Sequence, residues 1–230
     1  MGSDDLFRKN KNPRKSTDLT RKPNTRTRTL RYLIVCEGKK TEPYYLKEML
    51  DASNISSQSV KIAPNDGNTP DRIVAHALKL YDEDAASGDK FDTVFCVFDR
   101  DKHDSYDNAV KRISDLRTAK NPKPFKAVTS TPCFEYWLLL HFGLTDQPFQ
   151  AAGKKSICDN LITVLRKQNG FSQYGKGQQG IYTLLQDKLA TAMEGAKRIR
   201  TTAMETGSIN PLTNFDELID AIQSLMPKQL

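Results

Sequence analysis

Val94-Phe-Cys-Val-Phe-Asp-Arg-Asp-Lys-His103 is an apolar run that gives way abruptly to alternating charge. Buried parallel strands read as near-continuous apolar runs, and in open α/β sheets ligands bind at their carboxyl ends. Asp99 and Asp101 therefore mark the end of a buried strand. Earlier in the chain, Leu33-Ile-Val-Cys-Glu-Gly-Lys-Lys-Thr-Glu42 makes the same switch at Glu37. Around these stations the pattern alternates. Thr29 to Cys36 reads as a first strand, and Glu42 to Ala52 as a helix with Pro43 in its first turn. Val60 to Ala63 is a short strand. Thr69-Pro70-Asp71 supplies a cap and first turn for a helix to about Ala86, whose Ile73, Val74, Ala77, Leu78 and Tyr81 recur at helical spacing. Asp92 to Phe98 is the strongest strand, followed by a helix from about Tyr106 to Ala119 and a strand from Phe125 to Thr129. Such alternation predicts an α/β fold with a doubly wound, mainly parallel sheet.

Beyond it, Cys133 to Phe142 is an apolar helix. Residues 153–205 read as helices interrupted by the glycine-rich stretch from Gly170 to Gly180, and Asn210-Pro-Leu-Thr-Asn214 as the cap of a final helix from Phe215 to about Leu225. The expected organisation is a disordered basic arm over 1–28, an α/β core over 29–132, and a helical extension over 133–230 packed on that core.

The 230 residues suffice for one such domain. No stretch approaches the roughly 20 apolar residues of a membrane span, so the chain is expected to be soluble and cytoplasmic, without a membrane partner. Cys36, Cys96, Cys133 and Cys158 show no C-x-x-C spacing, which argues against zinc; Cys36 and Cys96 read as core residues, and no disulfide framework is expected. The net charge is +7, and all of it lies in residues 1–31, which hold ten Lys/Arg against three Asp. Such an arm either attracts nucleic acid by neutralising phosphates or serves as a solubilising tail.

The chemistry rests on the carboxylates. Asp99 and Asp101 are two residues apart, so in extended structure they point to the same side and can share a cation. Like charges that close are costly without one. Gly38 lets the backbone turn sharply after Glu37 and leaves room for a phosphate. The bland alternative is a set of solvated loop acids paired with Arg100 and Lys102.

Glu37-Gly38 after a first strand and Asp99-x-Asp101 after a later one resemble the Toprim domain, the fold shared by topoisomerases, primases and overcoming-lysogenization-defect nucleases. More specifically, Glu37-Gly-Lys-Lys-Thr-Glu42-Pro-Tyr-Tyr45, Val97-Phe-Asp-Arg-Asp101-Lys-His103, Pro132-Cys-Phe-Glu135-Tyr-Trp-Leu-Leu-Leu-His141-Phe and Asn210-Pro-Leu-Thr213 resemble the RloB family. Ser130-Thr131-Pro132 departs mildly from the Ser-Asn-Pro usual there. The resemblance implies a Toprim-type, metal-dependent nuclease of prokaryotic antiphage defence, often encoded beside an ABC-type ATPase. It also implies Glu37 as general acid/base or ligand, and Asp99 and Asp101 as ligands, for Mg2+ or Mn2+.

Secondary candidates surround this set. Glu135 either approaches the metals as a fourth carboxylate or caps its own helix, and Glu42, near a helix start, reads as structural. Lys39, Lys40, His103 and Lys176 are candidate contacts to a nucleic-acid phosphate; Lys176 lies between glycines that lack nucleotide-loop spacing. His141 and His76 read as core histidines. The expected function is a nuclease acting on DNA or RNA. Its rivals are a non-catalytic or latent effector held by an ATPase, and a phosphatase of the haloacid-dehalogenase type, which also places D-x-D after a strand. Topoisomerase and primase activities would need further domains.

Overall fold

The computed structural model describes residues 29–63, 69–100 and 105–226. The basic arm, Asp101 and His103 therefore lie outside the described residues. Five strands, β1 (Tyr32–Cys36), β2 (Val60–Ala63), β3 (Thr93–Asp99), β4 (Phe125–Thr131) and β5 (Leu212–Thr213), form one sheet in the order β2-β1-β3-β4-β5. The first four are mutually parallel, and β5 joins β4 antiparallel through Ser130–Thr213 and Thr131–Leu212. Among the described residues eight α-helices accompany them: α1 (Thr41–Ala52), α2 (Pro70–Ala86), α3 (Ser105–Thr118), α4 (Glu135–Leu140), α5 (Ile157–Leu165), α6 (Ile181–Leu185), α7 (Leu189–Thr206) and α8 (Phe215–Gln223). This is the doubly wound α/β fold that the alternating pattern predicts.

Strand periodicity explains the layering. Successive side chains point to opposite faces, so Leu33 and Val35 of β1 and Val94, Cys96 and Phe98 of β3 pack with Ile73, Val74, Ala77 and Tyr81 of α2 and Ile113 of α3. Their neighbours Ile34, Cys36, Phe95 and Val97 face a larger core holding Tyr45, Trp137, Leu161, Ile181, Ile199 and Phe215. Both faces are covered, which is why β1 and β3 are apolar without alternation. Each fully buried large apolar side chain contributes about 1.5–3 kcal/mol.

The C-terminal segment does more than pack as helices, because β5 returns to the sheet. Asn214 does not cap α8 with its side chain. Its Oδ1 instead accepts the Thr129 N–H (2.7 Å) and its Nδ2 donates to the Ala127 carbonyl (3.0 Å), extending the β4–β5 ladder by one side chain. Thr69 likewise stands at the start of α2 without a side-chain cap bond. The true capping box belongs to α5, where Ser156 and Asp159 satisfy each other's backbone N–H groups. Arg200 of α7 locks α8 in place: it pairs with the fully buried Asp216 and donates to the Thr213 carbonyl at 3.1 Å.

One expectation is corrected. Cys133 and Cys158 are joined as a disulfide, their Cα atoms 6.1 Å apart. The packing of α5 against α4 brings two cysteines 25 residues apart in the chain together, a proximity that spacing does not reveal. Cys36 and Cys96 are buried and free, as expected of core residues, and burial pushes the Cys96 thiol up to about 12, far from a nucleophile's range. His141 is a core histidine, with Nδ1 3.0 Å from the Trp137 carbonyl and Nε2 3.3 Å from the Tyr45 hydroxyl. His76 lies partly exposed on α2. Among the described residues, no helix is long and apolar enough to cross a membrane.

Candidate functional site

The chain runs from β1 outward to β2, then crosses back to β3 and on to β4. The direction of winding therefore reverses between β1 and β3, and such a switch point opens a crevice at the strands' carboxyl ends. Glu37 and Asp99 stand there. The Glu37 N–H donates to the Val97 carbonyl (2.8 Å), carrying the ladder one residue past β1. Its carboxylate Oε2 accepts the Asp99 N–H at 3.0 Å, so the first acid is held directly against the second.

Gly38 then lets α1 begin in a particular way. A Cβ on Gly38 would lie 2.7 Å from Glu42 Cδ and 2.8 Å from Oε1, and would overlap Oε2. Only a glycine leaves that space, and Glu42 fills it, folded back over the turn and 6% exposed. From the other side β4 delivers Glu135, the first residue of α4, which is 1% exposed. The Tyr174 hydroxyl donates to Glu135 Oε1 at 3.2 Å. The Lys176 ammonium sits 3.5 Å from Oε2, an ionic contact, while no hydrogen bond satisfies that buried oxygen.

Lys176 arrives on a loop that α1 fastens. The Gly177 N–H donates to Thr41 Oγ1 (2.9 Å), and the Gly180 and Tyr182 N–H groups both donate to the Glu48 carboxylate, at 2.6 and 2.9 Å. Gly177, at φ +78°, lies under the aliphatic stem of Lys40. Arg166, at the C-terminal cap of α5, donates to the Tyr174 carbonyl at 2.9 Å.

The electrostatics follow from crowding acids in a poorly hydrated crevice. Burial raises Glu42 to about 7, against help from its own backbone N–H, with Glu135 and Glu37 adding to the rise and Lys176 opposing it. Burial, then Glu42, Glu135 and Glu37, push Asp99 well above the usual carboxylate range. Burial disfavours the Lys176 charge, but Glu135, Asp99 and Glu42 outweigh it and raise its pKa.

The structure thus brings Glu37 and Asp99 together and adds Glu42, Glu135 and Lys176. Glu42 has a place in the cluster besides its place in the helix's first turn, and Glu135 faces inward instead of merely starting α4. Lys40 packs on the Lys176 loop. Lys39 turns to a separate cleft of about 420 Å3 with Tyr44, Lys47 and Ile62. Tyr174 and Glu48 carry no motif of their own and escape a reading of the chain, and Thr41, inside the Glu37–Tyr45 stretch, is not singled out by it. Their one signal is the glycine-rich segment they hold.

The donors of this cluster can be compared with those that a divalent cation of the Mg2+ or Mn2+ class takes. The donors are hard carboxylate oxygens, one buried oxygen lacks a hydrogen bond, and mutual repulsion already burdens two of the acids. Among the described residues no three His, Cys, Asp or Glu side chains are already arranged to hold a metal. The oxygen chemistry of the set is of the kind such an ion takes, and Glu42, Asp99 and Glu135 would be the residues to hold it, with Glu37 beside them.

Fold and site together define an α/β protein with an acidic centre at its sheet's switch point. The model of the RloB-like protein family matches residues 32–222, and the chain belongs to that family. No curated protein and no solved structure matches it significantly.

Proposed function

We propose that this chain is a metal-dependent phosphodiesterase acting on nucleic acid, serving in antiphage defence under the control of an ABC-type ATPase. The observation that carries the reading is the meeting of Glu37, Glu42, Asp99 and Glu135 with Lys176 at the switch point of the sheet. A bound Mg2+ or Mn2+ would polarise the phosphate and lower the pKa of water there. The chain's own residues do the rest. Glu42, held near 7 by burial while no ion is bound, would give its carboxylate to the ion, and proton transfer falls to Glu37, the role that the family resemblance implies for it. Glu37, tied to the Asp99 N–H, keeps the two strand ends in register. Lys176 offsets charge that develops on the phosphate oxygens. The basic excess of residues 1–31 adds sequence-independent affinity for a polyanion.

Purified protein with Mg2+ or Mn2+ is mixed with plasmid, single-stranded DNA and tRNA, beside Asp99→Asn and Glu135→Gln. Metal-dependent cleavage that falls about 10²–10⁴-fold in both variants supports the reading. Cleavage that survives Asp99→Asn removes it. The second reading is a latent subunit, favoured by the contact in which Lys176 already neutralises Glu135. It predicts that no substrate is cut until an ATPase partner is added.

A further inference from the structure

A cleft of about 590 Å3 opens at the carboxyl end of β4, directly beside the carboxylate cluster. Arg100, which follows Asp99, and Lys176, which touches Glu135, are in its lining. Pro132, Ile157 and Ile209 form the apolar walls. We propose that this cleft takes the unpaired nucleotide next to the phosphate at the carboxylates, which makes single-stranded nucleic acid the substrate; the inference rests on the phosphodiesterase reading.

Three observations carry it. The volume falls within the roughly 300–1,000 Å3 of small-ligand sites, room for a single nucleotide rather than a base pair and its backbone. The polar groups of the lining divide sharply. Ser156 and Asp159 are spent on their capping box, and both ends of the Asn210 amide are spent on the Phe149 backbone, at 2.7 and 3.3 Å. Two cations line the cleft and can face a phosphate: Lys176, whose ammonium also lies 3.5 Å from Glu135 Oε2, and Arg100 with its guanidinium held over the Tyr106 ring at 5.0 Å, 4.0 Å from the exposed Asp107. Finally, Ile209 is 50% exposed at the cleft. A half-exposed isoleucine in a lining that also holds a proline suits the flat face of an unstacked base, and such faces are offered by single strands, not by a stacked duplex. The comparable cleft of about 530 Å3 at the other ends of the strands, between Phe91 and Lys126, has no acids of the cluster in its lining.

Fluorescence anisotropy with labelled 12-residue oligo(dT), oligo(U) and a 12-base-pair duplex tests the cleft, in buffer with Ca2+ and with intact probe verified on a gel. The wild type is expected to bind one or both single strands at least tenfold more tightly than the duplex, and the two homopolymers separate DNA from RNA. Ile209→Asp and Ile157→Asp are each expected to weaken single-strand binding about tenfold and to leave duplex binding unchanged. The first changes a half-exposed position and the second the first turn of α5, where an acid favours the helix. Circular dichroism identifies the folded variants. Equal or tighter binding of the duplex overturns the inference, as does wild-type single-strand binding by a folded variant. Failure of the cleft leaves metal-dependent cleavage intact, whereas failure of the phosphodiesterase reading leaves the single-strand preference without cleavage.

Discussion

Replacing Glu42 by glutamine should make the protein more stable at alkaline pH, by an amount the structure sets. In the folded chain this carboxyl titrates at about 7, against about 4.5 unfolded. The folded state thus holds a proton that the unfolded state has released between those values, so stability is greatest below pH 4.5 and drains away as pH rises through 7. The gap of about 2.5 pH units, at about 1.4 kcal/mol each, gives about 3 kcal/mol. Burial of Glu42 at 6% exposure leaves little solvent to screen it. Glutamine keeps the shape and loses the titration. Urea unfolding at pH 4.5 and pH 8 measures the result: the difference between variant and wild type should grow by about 3 kcal/mol in the variant's favour across that range. Added Mg2+ should shrink the gap, because an ion bound at 100 times its Kd stabilises the wild type by about 2.7 kcal/mol and the variant, missing an oxygen ligand, by less. A difference that is the same at both pH values would refute the crowded, poorly hydrated acid cluster.

Gly38→Ala should expel Glu42 from its place over the turn and lower cleavage at least tenfold, measured as kcat on the preferred substrate, because the new Cβ overlaps the carboxylate. Glu48→Ala removes the acceptor of two backbone N–H groups and should cost about 1.5–3 kcal/mol per lost charged hydrogen bond at most. The reader of that loss is limited proteolysis, with cutting between residues 170 and 182 accelerated while the sheet stays protected. Burial lowers His141 to about 4, so its contribution has the opposite sign to that of Glu42. That stability is whole above pH 6.5 and falls by about 3 kcal/mol as pH drops toward 4; His141→Gln should remove this slope in a pH series of thermal melts.

What the chain reveals before folding depends on how local each signal is. Strand β3 is legible because Val94 to Phe98 is buried on both faces, leaving an apolar run with an acid at its end. Helix α2 is legible from its spaced apolar residues, and its bounds, Pro70 to Ala86, are those the sequence indicates. Strand β5 is not, since two residues carry no period and Asn214 supplies ladder bonds by a side chain that reads as a cap. In the site, Glu37 and Asp99 stand out because each stands at the end of an apolar strand. Glu42 does not, because its position depends on a turn at Gly38 that an acid in a first helical turn would not advertise. Glu135, Tyr174 and Lys176 meet only through folding: Tyr174 lies 39 residues from Glu135, and the loop is set by bonds to α1 spanning more than 130 residues. Such separations leave no periodic trace.

The side chain of Asn214 also decides where other proteins can dock. A sheet edge with spare backbone donors and acceptors invites an added strand, which is how many complexes and most aggregates begin. On β4 the Thr129 N–H and the Ala127 carbonyl are those very groups, and one amide occupies both. The carboxyl half of β4, nearest the acids, is thereby closed to strand exchange. A partner approaching this stretch of β4 would have to grip side chains there, which leaves β2, at the opposite edge of the sheet, as the place for an added strand.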